Sequence, residues 1–285
     1  MQRSDFRYLE RLRVRWAEID AQQIVFNGHY LMYFDTAIAG YWRALAMPYH
    51  ETMAALGGDM FVRKATLEYL GSARYDDVLE IGMRCARVGN SSMLFEAGAF
   101  RQEQLLVSGE LVYVFADPNA KQPLPVPAAL RSLFESFEAG ESMVEVRVGA
   151  WRELEPAARP IRAEVFVAEQ KIPAEMEWDD ADVDAVHAVA FNRLGRALGT
   201  GRMLEHVPGV AKIGRMAVAV SARHCGVGRA VLDALLAAAR ARGDRQAMLH
   251  AQLGAAPFYE RAGFVRRGPE FDEAGIAHVE MLRAL

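Results

Sequence analysis

The sequence predicts an α+β protein of two successive units, first an antiparallel sheet wrapped around one long helix, then a mixed α/β fold. Three observations carry this. At 285 residues the chain exceeds one ordinary domain, and about 150 residues per domain gives two. The first half sets one apolar-striped helix ahead of a run of alternating strands, whereas the second half interleaves strands and helices, and no internal repeat relates them. Between the halves, Ala139-Gly140-Glu141-Ser142 has the composition of a linker, so the expected domains are 1–140 and 143–285.

From Arg11 to Glu18 polar and apolar residues alternate, with Leu12, Val14 and Trp16 on one face, which is strand periodicity. After Asp20 the period changes. Leu31, Phe34, Ile38, Tyr41, Trp42 and Leu45 recur at three- and four-residue spacing and predict a helix that Pro48 ends or interrupts. Strand-like stretches follow near 60–70, 78–88, 93–102 and 105–116, with turns at Gly89-Asn90-Ser91-Ser92 and Gln102-Glu103-Gln104, and then a short helix near 128–137.

The second half opens on a strand at 143–149 and a helix ending near Gln170. Strands near 186–194 and 197–204 flank Gly195 as a hairpin, and another follows at 211–220. A helix at 227–242, a strand at 247–252, a short helix at 256–262 and strands near 264–267 and 278–282 complete the order.

Composition narrows the function classes. A net charge of -4 with scattered Lys and Arg argues against a nucleic-acid binder. Only Cys85 and Cys225 occur, so neither a disulfide framework nor a Cys-based metal site is expected, and a reducing cytoplasm fits. The charged start of the chain offers no signal peptide, and no run of about 18 apolar residues predicts a membrane span.

Two segments carry chemistry. In the first, Asp20 precedes the start of the long helix, whose N–H groups around Phe26, Asn27 and Gly28 could stabilise an oxyanion while the carboxylate attacks or activates water. From spacing alone Asp20 reads first as a loop or capping group, and His29 as either a pocket residue or a surface one. The run Arg13–Asp35, with Ala65-Thr66-Leu67-Glu68-Tyr69-Leu70 and Tyr75-Asp76-Asp77-Val78-Leu79-Glu80-Ile81, resembles the hotdog-fold acyl-CoA thioesterases related to 4-hydroxybenzoyl-CoA thioesterase. That resemblance implies thioester hydrolysis with Asp20 as the catalytic carboxylate, and sites completed in a homo-oligomer. Two positions depart from it: Gln23 stands where glycine is common and Asn27 where many relatives have histidine.

In the second, Arg223-His224-Cys225-Gly226-Val227-Gly228-Arg229 stands between a strand and a helix, where Gly226 and Gly228 permit close backbone approach and the arginines add positive charge for a pyrophosphate. A structural turn would read alike. With Ile213–Val220 before it and Pro257-Phe258-Tyr259-Glu260-Arg261-Ala262-Gly263-Phe264 after it, the segment resembles the GNAT acetyltransferases. The resemblance implies binding of acetyl-CoA by Arg223–Arg229, an acetyl carbonyl held by backbone N–H groups near Met216, Ala217 and Val218, and Tyr259 as the acid that protonates the departing thiolate.

The amine acceptor and its base stay open. Glu175, Glu177, Asp179, Asp180, Asp182 and Asp184 form either an attraction for a cationic amine or a solvated loop, and His187 and His250 read as satisfied core histidines. The whole is therefore read as a bifunctional user of coenzyme A, without a permanent cofactor or metal. The alternative is one catalytic domain beside a CoA-binding or dimerisation module.

Overall fold

A computed structural model describes residues Met1–Leu285 as two units, Met1–Met143 and Val144–Leu285. The first comprises strand β1 (Tyr8–Arg13), helices α1 (His29–Ala44) and α2 (Tyr49–Leu56), strands β2 (Asp59–Tyr69), β3 (Val78–Val88), β4 (Ser92–Arg101) and β5 (Gln104–Ala116), and helix α3 (Ala128–Glu138). All strands pair antiparallel in the order β1-β3-β4-β5-β2.

Helix α1 buries Tyr30, Tyr33, Phe34, Ala37, Ile38, Tyr41 and Trp42, a broad stripe that the curved sheet covers. Leu31, expected on that stripe, is exposed instead, because the buried face runs through Tyr30 and Tyr33. Close approach of helix to sheet depends on Gly109 of β5, where an added Cβ would stand 2.6 Å from the Phe34 ring. Polar links finish the packing: Tyr41 donates to Glu138 of α3, whose Oε1 also accepts the Cys85 N–H at 3.1 Å.

The expected strand through Glu18 is cut short. Beyond Arg13 the chain turns into a 3-10 segment, Trp16–Glu18, in which Trp16 is 74% exposed and Glu18 is buried. The Glu18 carboxylate accepts the Arg15 N–H at 2.7 Å, the Arg15 Nε at 2.7 Å and the Tyr33 hydroxyl at 2.7 Å, which satisfies a buried charge more fully than continued pairing would.

The second unit comprises β6 (Val144–Ala150), α4 (Trp151–Arg162), one-turn helices α5 (Ala174–Glu177) and α6 (Ala181–Asp184), β7 (Val186–Asn192), β8 (Ala197–Val207), β9 (Val210–Val218), α7 (Val227–Arg242), β10 (Gln246–Gln252), α8 (Ala256–Arg261), β11 (Val265–Glu273) and β12 (Ile276–Ala284). Its sheet runs β11-β12-β10-β9-β8-β7-β6. Pairing is antiparallel except between β9 and β10, where Val210–Lys212 meets Gln246–Met248 and the register goes no further. Past that point the two strands part, which opens the sheet.

Helix α4 contains Pro156 and Pro160 and passes into a π-type stretch, Ala163–Glu169, because each proline removes a backbone donor from the helical ladder. Leu154 and Ala158 pack on Val189 and Phe191, while Ile161, Val165 and Phe166 pack on Ala217.

The acidic stretch is solvated only in part: Glu175, Asp180 and Asp184 are exposed, while the others are drawn into ion pairs. Glu177 and Asp182 are buried beside Arg162, whose Nη1 donates to Asp182 at 2.8 Å and whose Nε donates to Glu177 at 2.5 Å. Arg202 donates to Asp182 at 2.8 Å and also pairs with Asp179, and Arg215 reaches Glu177 at 3.2 Å and Asp179 at 3.1 Å. Three guanidiniums thus meet three carboxylates, and neither sign is left unpaired in the interior. His187 fits the same core: its Nε2 stands 2.9 Å from the Asp182 carbonyl, and burial lowers its pKa so that it stays neutral.

Candidate active sites

In the first unit, Asp20 sits half-exposed at a turn whose ends meet through Asp20 N–H to Ile24 O at 2.9 Å and Gln23 N–H to Asp20 O at 3.0 Å. Gln23 adopts φ 62°, a conformation in which glycine is freer, so the replacement of the common glycine is accommodated with local strain. The Asp20 Oδ1 accepts the Gln22 N–H at 2.7 Å, so part of this carboxylate orders its own loop.

The expected donors divide. Phe26 is removed from the donor set because its N–H already donates to Glu18 O at 2.9 Å. The Asn27 and Gly28 N–H groups, just ahead of α1, make no such bond. Glu18, which the sequence reading passed over, therefore anchors the loop by both its carbonyl and its side chain. Burial alone would raise its pKa, yet the Arg15 N–H and guanidinium and the Tyr33 hydroxyl together hold it below the usual carboxylate range. Phe26 turns an exposed ring against His29 at 5.8 Å, and Tyr69 donates to Asn27 O at 3.1 Å.

In the second unit, a 3-10 turn at Val220–Ala222 leads into the loop before α7. His224 at φ 66° and Gly226 at φ 77° reverse the chain, and Gly226 has nothing within 4 Å of where a Cβ would stand. Gly226 is the N-cap of α7, and no hydrogen bond occupies the N–H groups of Gly226, Val227, Gly228 or Arg229. Successive free donors at a helix start form an anion-binding concavity. The two arginines are not free charges as the sequence implied: Arg223 pairs with both oxygens of Glu169, and Arg229 with Asp233 at 2.7 Å.

Where β9 and β10 part lies a cavity of about 400 Å³. Gly214, Arg215, Met216, Gln252, Tyr259, His250 and His278 are among its walls. Strand β9 bulges here, since Arg215 has φ 51° and its register against β8 shifts between Thr200 and Arg202. Ala219 N–H donates to Leu198 O on β8, so Val218, one residue earlier and facing the other edge, turns its N–H toward the gap. Tyr259 is almost buried, its ring lies 5.9 Å from Phe264, and desolvation raises its pKa to about 12. Its hydroxyl has no protein partner, so it is a protonated donor facing the cavity.

The structure gathers Met216 and Tyr259 around one opening and sets Arg223, Gly226, Val227, Gly228 and Arg229 in one loop; Val218 is not among the cavity walls, and Ala217 lies buried in β9 against Val165 and Phe166. No cluster of three or more His, Cys, Asp or Glu is spaced to hold a metal, and no helix is long and apolar enough to cross a membrane.

Residues 155–285 match the family model described as the acetyltransferase (GNAT) domain, and residues 22–108 the one described as the thioesterase superfamily. The chain is 38% identical over 124 residues to an N-acetyltransferase of Bacillus subtilis, YjcF, described as uncharacterized, covering 43% of this chain and 87% of that one. It is similar to the crystal structure of Escherichia coli ElaA, with 26% identity, a TM-score of 0.45, and coverage of 50% of this chain and 99% of that one. It is also similar to a gentisyl-coenzyme A thioesterase, with 22% identity, a TM-score of 0.40, and coverage of 44% and 98%.

Proposed function

Because the chain belongs to the GNAT acetyltransferases through its second unit and carries a thioesterase-superfamily domain in its first, we propose that it is a bifunctional coenzyme A enzyme. The second unit transfers an acetyl group from acetyl-CoA to an amine, and the first hydrolyses acyl-CoA thioesters.

The observation that carries the transferase reading is the meeting, in one unit, of the free N–H row at α7 with the gap that Tyr259 faces. The pyrophosphate takes the N–H groups of Gly226–Arg229, and Arg223 leaves Glu169 or shares it with the ligand. The thioester carbonyl accepts from β9 at Val218, in the stretch Met216–Val218. After the amine attacks, the C–S bond breaks and Tyr259 gives its proton to the thiolate. A phenol held protonated by burial is suited to that step.

For the first unit, Asp20 acts as base or nucleophile, and Asn27 and Gly28 act as oxyanion donors, with Phe26 and His29 as apolar and polar walls. This site is open in the single chain. Edge strand β2 shows Phe61, Val62 and Tyr69 to solvent, and α1 shows Leu31 and Met32, so a second copy is the proposed cover. One observation favours a second reading of this unit: Oδ1 of Asp20 is already committed to Gln22, as in a turn that only binds or dimerises.

A panel of acyl-CoAs, followed by thiol release with and without primary amines, tests both halves. Asp20→Asn abolishes the amine-independent release, and Tyr259→Phe lowers the amine-dependent increment by about 10²–10⁴-fold. Hydrolysis unchanged in Asp20→Asn leaves the first unit as a binding or assembly module.

A further inference from the structure

We propose that His250 is the general base that deprotonates the acceptor amine, and that Glu273 is the residue that positions it. The proposal rests on the transferase reading above and adds the group that reading lacks.

The acidic stretch cannot supply the base. Glu177 and Asp179 do line the cavity, but Arg162 and Arg215 occupy the two oxygens of Glu177, and Arg202 and Arg215 those of Asp179, so neither carboxylate has an oxygen left for an acceptor amine. That leaves on the cavity wall the two imidazoles, His250 of β10 and His278 of β12, and Glu273 of β11, whose Oε2 is turned to the His250 ring. The His278 Nδ1 stands 2.7 Å from its neighbour's carbonyl, Ile276 O, and its ring stacks on Phe271 at 6.0 Å. The His250 Nδ1 stands 3.3 Å from Glu273 Oε2, and its ring meets the edge of Phe271 at 4.9 Å.

The partner decides between them. Beside a carboxylate, the His250 Nδ1 carries the hydrogen, Nε2 keeps its lone pair, and the imidazolium formed on accepting a proton is stabilised by Glu273. A carbonyl partner gives His278 the same tautomer with less support for the charged form. Phe271, wedged against both rings, fixes their planes. The sequence reading placed His250 in the core; the early parting of β9 and β10 is what makes it a wall residue.

Protons and electrons balance without a further reagent. His250 takes one proton from the ammonium form of the acceptor, the freed lone pair attacks the thioester carbon, and the C–S electrons leave with sulfur. Tyr259 protonates the thiolate and is itself reprotonated by the second proton that nitrogen loses. The net products are amide, CoA thiol and one proton, which His250 releases to solvent.

The test uses full-length protein, acetyl-CoA, and two kinds of acceptor: alkylamines (ethylamine, tyramine and spermidine), which are protonated at neutral pH, and hydroxylamine, which is largely not. His250→Gln is expected to lower alkylamine-dependent CoA release at neutral pH by about 10²–10⁴-fold and hydroxylamine-dependent release by less than about tenfold. Alkylamine rates in the variant recover as pH rises and the acceptor deprotonates itself. Glu273→Gln, at an exposed position, lowers the alkylamine kcat and leaves the KM for acetyl-CoA unchanged, because it removes the group that orients the imidazole. The other ionisable groups facing His250 are Arg202 on β8, Lys212 and Arg215 on β9, His278 and Glu280 on β12, Tyr259 on α8, and the paired Glu177 and Asp179, and none of these changes in either variant. Equal losses with both kinds of acceptor, a variant profile identical to the parent's, or a parent that uses hydroxylamine but no alkylamine overturns the base. A parent that releases no CoA with any amine removes the transferase reading, and the base with it.

Discussion

Two helix starts in this chain use the same physics to different completeness. Before α1, the Asn27 and Gly28 N–H groups are free, but the flanking carboxylate of Asp20 is partly spent on its own turn and the surrounding apolar side chains face solvent. Before α7, four successive N–H groups are free, and a cavity with a protonated tyrosine lies in the same unit. A helix terminus supplies donors wherever a helix begins. What makes it a site is the sheet around it: β2 ends the first sheet as an edge, while β9 and β10 part inside the second.

The contrast can be broken most forcefully at Arg162. Arg162→Leu leaves Glu177 and Asp182 buried without their shared guanidinium and is expected to cost about 3–5 kcal/mol in the second unit. Denaturant unfolding together with both release assays measures it: amine-dependent release is lost first as denaturant rises. Phe34→Ala is the matching lesion in the first unit, at about 3–5 kcal/mol, with amine-independent release lost first.

A smaller effect sharpens the phosphate row. Gly226→Ala forces a Cβ into φ 77° at a cost of about 1 kcal/mol and raises the KM for acetyl-CoA, while amine-independent release keeps its rate. Steady-state kinetics with varied acetyl-CoA reads this directly.

The pH dependence of the second unit follows from His187. Its folded pKa lies below the ordinary 6.5, so the unfolded chain binds the proton more readily and stability is lost as pH falls below about 6.5. His187→Phe flattens that slope in urea titrations between pH 7 and pH 5. The smallest change is expected at Thr200, whose buried hydroxyl lacks a partner: Thr200→Val leaves the unfolding free energy from urea titration unchanged or raises it by at most about 1 kcal/mol.

Much of the fold was legible because periodicity reports which face is buried. The strand at Val78–Val88 and the helix at Val227–Arg242 lie where alternation and three-four spacing put them. Alternation misled at Trp16, since a pattern of residue types does not register that one buried carboxylate, Glu18, can find three donors by abandoning the strand. Charge pattern did not register the pairing at Glu177–Asp184 either, since the three arginines that pair the acids come from other elements, α4, β8 and β9. The same holds for Arg223, whose partner Glu169 is 54 residues earlier.

The sequence by itself determined what local chemistry determines: most of the long helices and strands, where the glycine reversal at Gly226 falls, and which two segments resemble CoA-using families. Only the tertiary structure decided which N–H groups stay free, which charges are already paired, and that His250 faces a cavity while His187 lies in the core. Free donors, neutralised charges and open gaps depend on contacts between residues distant along the chain. Neither composition nor period records those contacts.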